Sequence, residues 1–310
     1  MPRLYPAALT LMAGLLCGPF SVAQDGSNPA FEAALQALLQ DPQIPLSLQV
    51  HCTDEHGIRS MSLYPGGVVI WNQERQARIG TAERGALAQS LLDAGFASFA
   101  DHYGGTPGAA RAGAPVIVLC SIDARAGGVA KSSYQDVNGE RSQAFMALAG
   151  SLLDQVAPLA AHGVRAESLD DGLAKLRSGQ LAPEALTLRL MHLPTETEKM
   201  GSIVDLSGTQ LSRRNYRPGV QIGEPQLFVM SPTDMESLLA ALMAAELTSL
   251  PAHPPAPDLY QLNVQVLQYR HSVRARPAAG KTEFSQQTAS DRLIQLTGVL
   301  QNFGRADANR

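Results

Sequence analysis

An internal repeat limits the possible folds more than any other property of this sequence. The matched pairs of segments are 45–50 with 185–190, 90–102 with 241–253, 116–121 with 264–269, and 142–153 with 290–301. Their offsets are 140, 151, 148 and 148 residues, in the same order along the chain. Self-similarity at a nearly fixed offset is typical of two copies of one structural unit. We therefore predict a tandem duplication, with domains at 24–163 and 164–310.

Both copies have the same order of helical and strand patterns. Each opens with apolar residues at helical spacing, which are Phe31, Leu35 and Leu38 in the first copy and Leu169, Leu173 and Leu176 in the second. An alternating strand follows, and then a hairpin whose turn contains glycine, at 64–67 or 206–209. The next helix of the second copy begins with Ser231 as its N-cap and Pro232 in its first turn.

A second hairpin and a closing helix complete each copy. The predicted strands of this hairpin are 115–121 and 127–134 in the first copy, and 260–267 and 270–276 in the second. The closing helix of the first copy places Phe145, Leu148 and Leu152 on one face. We predict an α+β fold: two tandem copies of a helix–strand–β-hairpin–helix–β-hairpin–helix domain, each an antiparallel sheet with helices on one face.

The N-terminus is typical of an exported protein. Arg3 precedes an apolar stretch at 8–20, and the small residues Ser21 and Ala23 follow it. These features predict a secretory signal peptide, residues 1–23, cleaved after Ala23. The apolar stretch is too short for a membrane span, which needs roughly 20 such residues. The alanine-rich chain, with more arginine than lysine, suits a bacterium, so we expect a soluble periplasmic or secreted protein with no membrane insertion.

The charge balance excludes two classes of partner. The formal net charge is −4, from 24 basic and 28 acidic residues. Proteins that bind nucleic acid or anionic membranes need a strongly basic surface, which this balance does not favour. At 45% hydrophobic and 17% charged residues, the chain has the composition of an ordinary globular protein.

Two cysteines remain after signal-peptide cleavage, Cys52 and Cys120, and each ends the inward-facing stripe of a predicted strand. An exported protein with two cysteines usually pairs them, so we predict a Cys52–Cys120 disulfide. In the repeat alignment Cys52 corresponds to His192 and Cys120 to Gln268, so both positions differ together. The alternatives are two buried free thiols, or a cysteine nucleophile assisted by His102.

Residues 51–56 contain two histidines, a cysteine and two acids, which raises the question of a metal site. Side chains alternate along a strand, so His51 and Cys52 face opposite sides, and the residues from 53 to 56 fall in a predicted turn. A metal site needs three or four ligands that converge on one point, and the sequence has no HExxH and no paired CxxC. We interpret this segment as a strand end and a turn, and we predict no metal and no cofactor.

No motif in the sequence supports catalysis. There is no GxSxG elbow and no glycine-rich phosphate loop after a strand. The string "DLSGT" at 205–209 has the look of an aspartic-protease loop, but hairpin turns produce such strings freely. We therefore assign no catalytic residues and expect a protein that is not an enzyme.

Residues 238–277 combine a helix with an apolar end, a proline-rich loop and a hairpin. The residues that form this pattern are Leu247, Leu250, Pro251 and Ala252, then Asp258, Tyr260 and Gln261, and finally His271, Val273 and Arg274. The segment resembles emfourin, a family of small bacterial inhibitors of protealysin-type, thermolysin-like metallopeptidases. The first copy matches only in outline, at 91–105, and the family's glycine-rich first hairpin is absent from both copies. The resemblance implies an α+β domain that binds a peptidase.

The second copy has nine extra residues within 212–228, where the offset between the copies rises from 142 to 151. Function is often added to a scaffold through its loops. The extra segment contains Arg213, Arg214, Tyr216 and Arg217, residue types that are enriched at binding hot spots. We predict that it is a loop that binds a partner; the alternative is a solvated basic loop or an inter-domain spacer.

Two hypotheses of function follow. The first is an exported, non-catalytic protein-binding module, a peptidase inhibitor of the emfourin type, whose partner is another protein such as a thermolysin-like metallopeptidase. The alternative is a structural or envelope-associated periplasmic protein with no inhibitory activity.

Overall fold

The computed structural model describes residues 26–54, 57–103, 118–137, 142–192, 201–217, 220–249 and 260–275. The helices are α1 (Pro29–Gln40), α2 (Thr81–Asp93), α3 (Gln143–Ala160), α4 (Leu169–Arg177) and α5 (Pro232–Ala244). The strands of the first sheet are β1 (Leu46–Asp54), β2 (Gly57–Leu63), β3 (Val68–Trp71), β4 (Arg75–Arg78), β5 (His102–Tyr103), β6 (Val118–Ala126), β7 (Val129–Asp136) and β8 (Val164–Arg165). Those of the second are β9 (Leu186–His192), β10 (Gly201–Ser207), β11 (Gln210–Arg217), β12 (Val220–Val229), β13 (Tyr260–Val266) and β14 (Tyr269–Ala275). The predicted signal peptide and the predicted helix at 290–301 lie outside the described residues.

The first sheet has the strand order β5-β7-β6-β1-β2-β3-β4-β8. All neighbouring strands are antiparallel except β5 and β7, which run parallel. The prediction of a purely antiparallel sheet is therefore wrong at this edge. The α+β class is confirmed, because helices pack on these sheets and, among the residues that the structure describes, no helix links the neighbouring parallel strands β5 and β7.

Apolar periodicity explains how the first sheet is covered. The predicted helical stripe of α1 is buried, and so is the stripe of α3 that includes Phe145. These side chains meet the inward residues of β1, such as Leu48 and Val50, which alternate with outward polar residues. Phe31, Phe96 and Phe99 form a run of edge-to-face ring contacts at the centre of this core.

The second sheet has the strand order β12-β11-β10-β9-β13-β14, and all its pairs are antiparallel. Helices α4 and α5 pack on one face, where Leu188 and Leu190 of β9 are buried. Helix α5 begins as predicted: the Ser231 side chain accepts a hydrogen bond from the Asp234 backbone N–H, and Pro232 lies in the first turn.

The six strands of the second sheet follow the order of β4-β3-β2-β1-β6-β7 in the first. The registers also agree: Leu46 pairs with Ala126 on β6, and Leu186 pairs with Val266 on β13. Strand β6 ends at Ala126, five residues beyond the predicted end at 121. The hairpin formed by β13 and β14 in the second sheet lies where it was predicted.

This register corrects one alignment made from the sequence. Cys52 and His192 occupy the same position in β1 and β9, counted from Leu46 and Leu186. Cys52 pairs with Cys120, and His192 pairs with Tyr260. The counterpart of Cys120 is therefore Tyr260, and Gln268 lies in the turn between β13 and β14. The error arose because the buried Ala124 and Ala126 continue β6 with small side chains, which do not read as a core stripe.

The Cys52–Cys120 disulfide is present and joins two neighbouring central strands of the first sheet. Both cysteines are buried, and their Cα atoms are 4.1 Å apart. Both sulfurs are used in this bond, so the alternatives of free thiols and of a cysteine nucleophile with His102 are wrong. No helix in the described part of the chain is long and apolar enough to cross a membrane.

The two sheets are joined by a continuous apolar contact. Val68 and Ile70 of β3 point away from the core of the first sheet and belong to the buried cluster formed with α4, α5 and the second sheet. Next to them, the buried side-chain oxygen of Gln76 accepts a hydrogen bond of 2.7 Å from the Ala182 backbone N–H. Strand β8, at the start of the predicted second domain, pairs with β4 of the first sheet.

Candidate functional site

The nine extra residues of the second copy lengthen a hairpin. Strands β11 and β12 pair along most of their length, with a register shift between Arg213 and Asn215. The prediction of a loop over 212–228 is therefore wrong. Their counterparts β3 and β4 have four residues each, so the insertion extends the edge of the second sheet beyond the corresponding edge of the first.

This extended edge belongs to a broad polar face. We call the side of the second sheet opposite α4 and α5 the outer face. One row of paired residues across it consists of Ser272, Asn263, Arg189, Asp205, Ser212 and Leu227. The described helices of this half pack on the other side of the sheet. The outer face is thus built from side chains that alternate with the core residues of the same strands.

The structure separates the four predicted partner-binding residues. Arg214 contacts Asp205 of the outer face, and Tyr216 pairs with Gly201 on the same side. Arg213 pairs with the core residue Val204 on β10, so its side chain lies on the face of the sheet that carries α4 and α5. Arg217 is exposed near the end of β11. Two of the four residues are therefore brought together on the outer face.

Asp205 lies at the centre of the outer face between two arginines. Its carboxylate accepts a bond from Arg189 Nε at 2.5 Å and another from Arg214 Nη2 at 2.8 Å. The Asp205 side chain is only 6% exposed, and a buried carboxylate is stable only when such partners are present. The predicted "DLSGT" string is thus an ion-pair position followed by a turn.

Tyr216 covers a position that must lack a side chain. A Cβ atom at Gly201 would lie 2.7 Å from two ring atoms of Tyr216 and 2.6 Å from the carbonyl oxygen of His192. The Tyr216 hydroxyl donates a 3.3 Å hydrogen bond to that same carbonyl. Burial raises the pKa of the Tyr216 hydroxyl, so it remains a neutral donor at neutral pH.

We expect Gly201→Ala to lower the free energy of unfolding by about 1–3 kcal/mol, because the added methyl group forces Tyr216 and the adjoining backbone to move. Gly66→Ala is the matched control, since a Cβ there meets no atom within 4 Å and its φ is not positive. Urea unfolding of both variants measures the difference. Equal stabilities of the two variants would show that Tyr216 is not held in this position.

Two aliphatic side chains on β12 are exposed beside these polar residues. Leu227 is 69% exposed and Val229 is 78% exposed. Their partners across β11 are Ser212 and Gln210, which belong to the outer face. Large apolar side chains next to arginine and tyrosine are typical of surfaces that bind other proteins.

The residues that carry the emfourin resemblance are divided between the core, the outer face and parts of the chain outside the described residues. Leu247 and Val273 are buried in the core of the second half. Gln261 and Arg274 pair across β13 and β14 on the outer face, and His271 is opposite the core residue Val264. Tyr260 begins β13. Leu250, Pro251, Ala252 and Asp258 lie outside the described residues.

Two other polar clusters lie in the first half of the described chain. His102 Nε2 lies 3.0 Å from the Asp136 carboxylate, and its ring stacks on Tyr134 with the centroids 4.5 Å apart. The Lys131 ammonium is buried against Asp101 and the Gly26 carbonyl. Within the described ranges, no three His, Cys, Asp or Glu side chains are grouped so that they could hold a metal ion.

The prediction for the segment from His51 to His56 is correct for the strand and wrong for the start of the turn. Strand β1 continues through Thr53 and Asp54, which pair with Ile58 and Gly57 of β2. Residues 55 and 56 lie outside the described residues. Cys52 is in the disulfide, and burial lowers the pKa of His51, which keeps its imidazole neutral.

Sequence reasoning missed the centre and the apolar border of the outer face. Arg189 interrupts the apolar strand "LTLRLMH" at an outward position, and Asp205 does the same in "SIVDLS". Two opposite charges in neighbouring amphipathic strands were the available signal. Leu227 and Val229 had no such signal, because Gly223 and Pro225 interrupt the strand pattern of β12.

No protein-family model and no curated protein sequence matches this chain.

Proposed function

We propose that the protein is an exported, non-catalytic protein-binding module that holds its partner against the outer face of the second sheet. The observation that carries the proposal is the exposure of Leu227 and Val229 next to the Arg189–Asp205–Arg214 cluster and Tyr216. A protein interface combines apolar anchors with arginine and tyrosine in this way. Isolated exposed aliphatic residues are common, but here two lie on one edge strand of an extended hairpin.

Export and duplication are part of the same proposal. A buried disulfide between central strands suits an oxidising compartment such as the periplasm, which agrees with the predicted signal peptide. The common strand order of the two sheets supports an origin by tandem duplication. The extended β11–β12 hairpin then distinguishes the copy that binds the partner from the copy that does not.

We further propose that the partner is a thermolysin-like metallopeptidase that the protein inhibits. The support is the resemblance to emfourin over 238–277, together with the place of Gln261 and Arg274 on the outer face. Their row continues across the sheet through Met191 and Ile203 to Arg214. The resemblance and the extended hairpin therefore point to one surface.

The test uses the mature protein, residues 24–310, and a Leu227→Asp/Val229→Asp double variant. We expect this variant to bind its partner at least about 30-fold more weakly, since two lost apolar anchors account for about 2 kcal/mol or more. The matched control is Ile58→Asp/Val137→Asp, which changes two exposed aliphatic residues of the first half. Each protein is immobilised and challenged with periplasmic extract, and each is titrated into assays of thermolysin and of serine and cysteine peptidases.

The two parts of the proposal can fail separately. Wild-type protein should inhibit thermolysin at a near-stoichiometric ratio and leave the other peptidases active. If it inhibits no metallopeptidase, the inhibitor proposal is wrong. If the double variant and the control capture the same proteins in the same amounts, the outer face is not the binding surface.

A further inference from the structure

The arginine pair on the outer face has more hydrogen-bond donors than its partner uses. A guanidinium group has five N–H donors, and Asp205 accepts one bond from Arg189 and one from Arg214. The cluster holds two positive charges and one negative charge, so one positive charge is not neutralised within it. About 30% of each arginine side chain is exposed, so both side chains are partly accessible to solvent.

Two polar atoms of neighbouring outer-face residues on β11 have no hydrogen-bond partner among the described residues. Arg214 Nε and Ser212 Oγ are buried and find no hydrogen-bond partner in the described part of the protein. Ser212 as a whole is 3% exposed. Buried polar atoms of a folded protein are nearly always hydrogen-bonded, so a pair of unpartnered atoms at one place needs a physical reason. A ligand with acceptor oxygens would supply one.

We propose that this cluster is the docking site for a carboxylate side chain of the partner, on an acidic peptide segment. The inference rests on the proposed function and adds the chemistry that the outer face recognises. A carboxylate matches the planar fork of a guanidinium group, where Nε and one Nη donate two parallel bonds. In the free protein Arg214 uses Nη2 for Asp205 and leaves Nε without a partner, so a turn of its side chain presents this fork.

Asp205 prepares both arginines for this role. It holds Arg189 in place and keeps Arg214 on the outer face through charge-assisted bonds before the partner arrives, so the turn of Arg214 is the rearrangement that binding requires. The surroundings favour a peptide over nucleic acid. Leu227 and Val229 border the cluster with apolar surface, which suits a peptide that carries apolar side chains beside its carboxylate and does not suit a phosphodiester backbone.

The experiment measures the binding of fluorescein-labelled hexaglutamate to the mature protein by fluorescence anisotropy in low salt. Arg214→Gln removes the fork, and Arg214→Lys keeps the charge without the fork. Arg78→Gln is the matched control, because Arg78 is exposed on β4 of the first sheet. We expect Arg214→Gln to weaken binding about tenfold, Arg214→Lys about fivefold, and Arg78→Gln less than twofold. Labelled hexaglutamine should not bind.

Several results would overturn the proposal. They are an absence of hexaglutamate binding by the wild type, equal weakening by Arg214→Gln and Arg78→Gln, and wild-type affinity in Arg214→Lys. Equally tight, Arg214-dependent binding of a labelled single-stranded DNA would assign the cluster to phosphate. Thermal unfolding of each variant by circular dichroism identifies a loss of folding, and Arg214→Lys, which retains the ion pair with Asp205, is then the deciding variant.

The partner assay separates this inference from the proposed function. If Leu227→Asp/Val229→Asp abolishes capture and Arg214→Lys leaves it unchanged, the outer face binds a partner but no carboxylate docks at Arg214. If hexaglutamate binds as expected and capture does not depend on Leu227 and Val229, the carboxylate site stands and the wider binding surface does not.

Discussion

Loss of the Cys52–Cys120 disulfide is expected to lower the free energy of unfolding by about 2–4 kcal/mol. The bond connects residues 68 positions apart, so it removes many conformations from the unfolded chain and favours the folded state. We expect this loss in the Cys52→Ala/Cys120→Ala double variant of the mature protein, measured by urea unfolding. Replacing both cysteines avoids a buried unpaired thiol in the comparison.

Reduction provides the control. Dithiothreitol should bring the wild type close to the stability of the double variant and leave the double variant unchanged. The prediction fails if protein produced in an oxidising compartment has two titratable thiols per chain under denaturing, non-reducing conditions.

The second large effect concerns the contact between the two halves. We expect Val68→Ala/Ile70→Ala to destabilise the mature protein by about 4 kcal/mol, because both side chains are buried against the second half and their truncation leaves a cavity. In an isolated fragment of residues 24–163, the same two side chains face water. There the substitutions should change the unfolding free energy by less than about 1 kcal/mol.

The difference between the two measurements is the contribution of the Val68 and Ile70 side chains to the contact, including the cost of the cavity that their truncation leaves. Equal destabilisation of the full chain and of the fragment would show that Val68 and Ile70 do not join the halves. The fragments 24–163 and 164–310 also test the predicted domains. Two unfolded fragments beside a cooperatively folded full chain would indicate a single intertwined domain.

Replacing the four predicted hairpin residues would test binding less clearly, because Arg214 and Tyr216 also contribute to folding. Arg214 is an ion-pair partner of the buried Asp205, and Tyr216 packs against Gly201. The Leu227→Asp/Val229→Asp variant is the sharper test of binding, because both side chains are largely exposed and contribute little to folding.

Local patterns were sufficient to predict much of the fold. The stripe Phe31, Leu35 and Leu38 predicts a helix whose apolar side is buried, and α1 has this form. Cys52 and Cys120 each continue an apolar stripe, which places both in one core and predicts their pairing. These inferences succeed because periodicity and burial are properties of neighbouring residues.

The candidate site depends on pairings between strands, which periodicity does not specify. Arg189 and Asp205 are 16 residues apart and meet only because β9 and β10 are neighbours in one register. The β11–β12 hairpin was predicted as a loop because polar residues hide its alternation and Pro225 is unusual in a strand. Pro225 is tolerated because β12 is at the edge of the described sheet.

The contact made by β3 also determines how many such units can be stacked. Val68 and Ile70 make the outward side of β3 apolar, and the second half covers them. Strand β11 is the counterpart of β3 in the shared strand order. When the strand pairings of the two sheets are aligned, Gln210 and Ser212 of β11 take the positions of Val68 and Ile70. A further unit packed against the second in the same way would contact polar side chains, whereas the second unit contacts valine and isoleucine of the first. The face of the second sheet that a further unit would cover is therefore polar, which disfavours head-to-tail growth into an open filament.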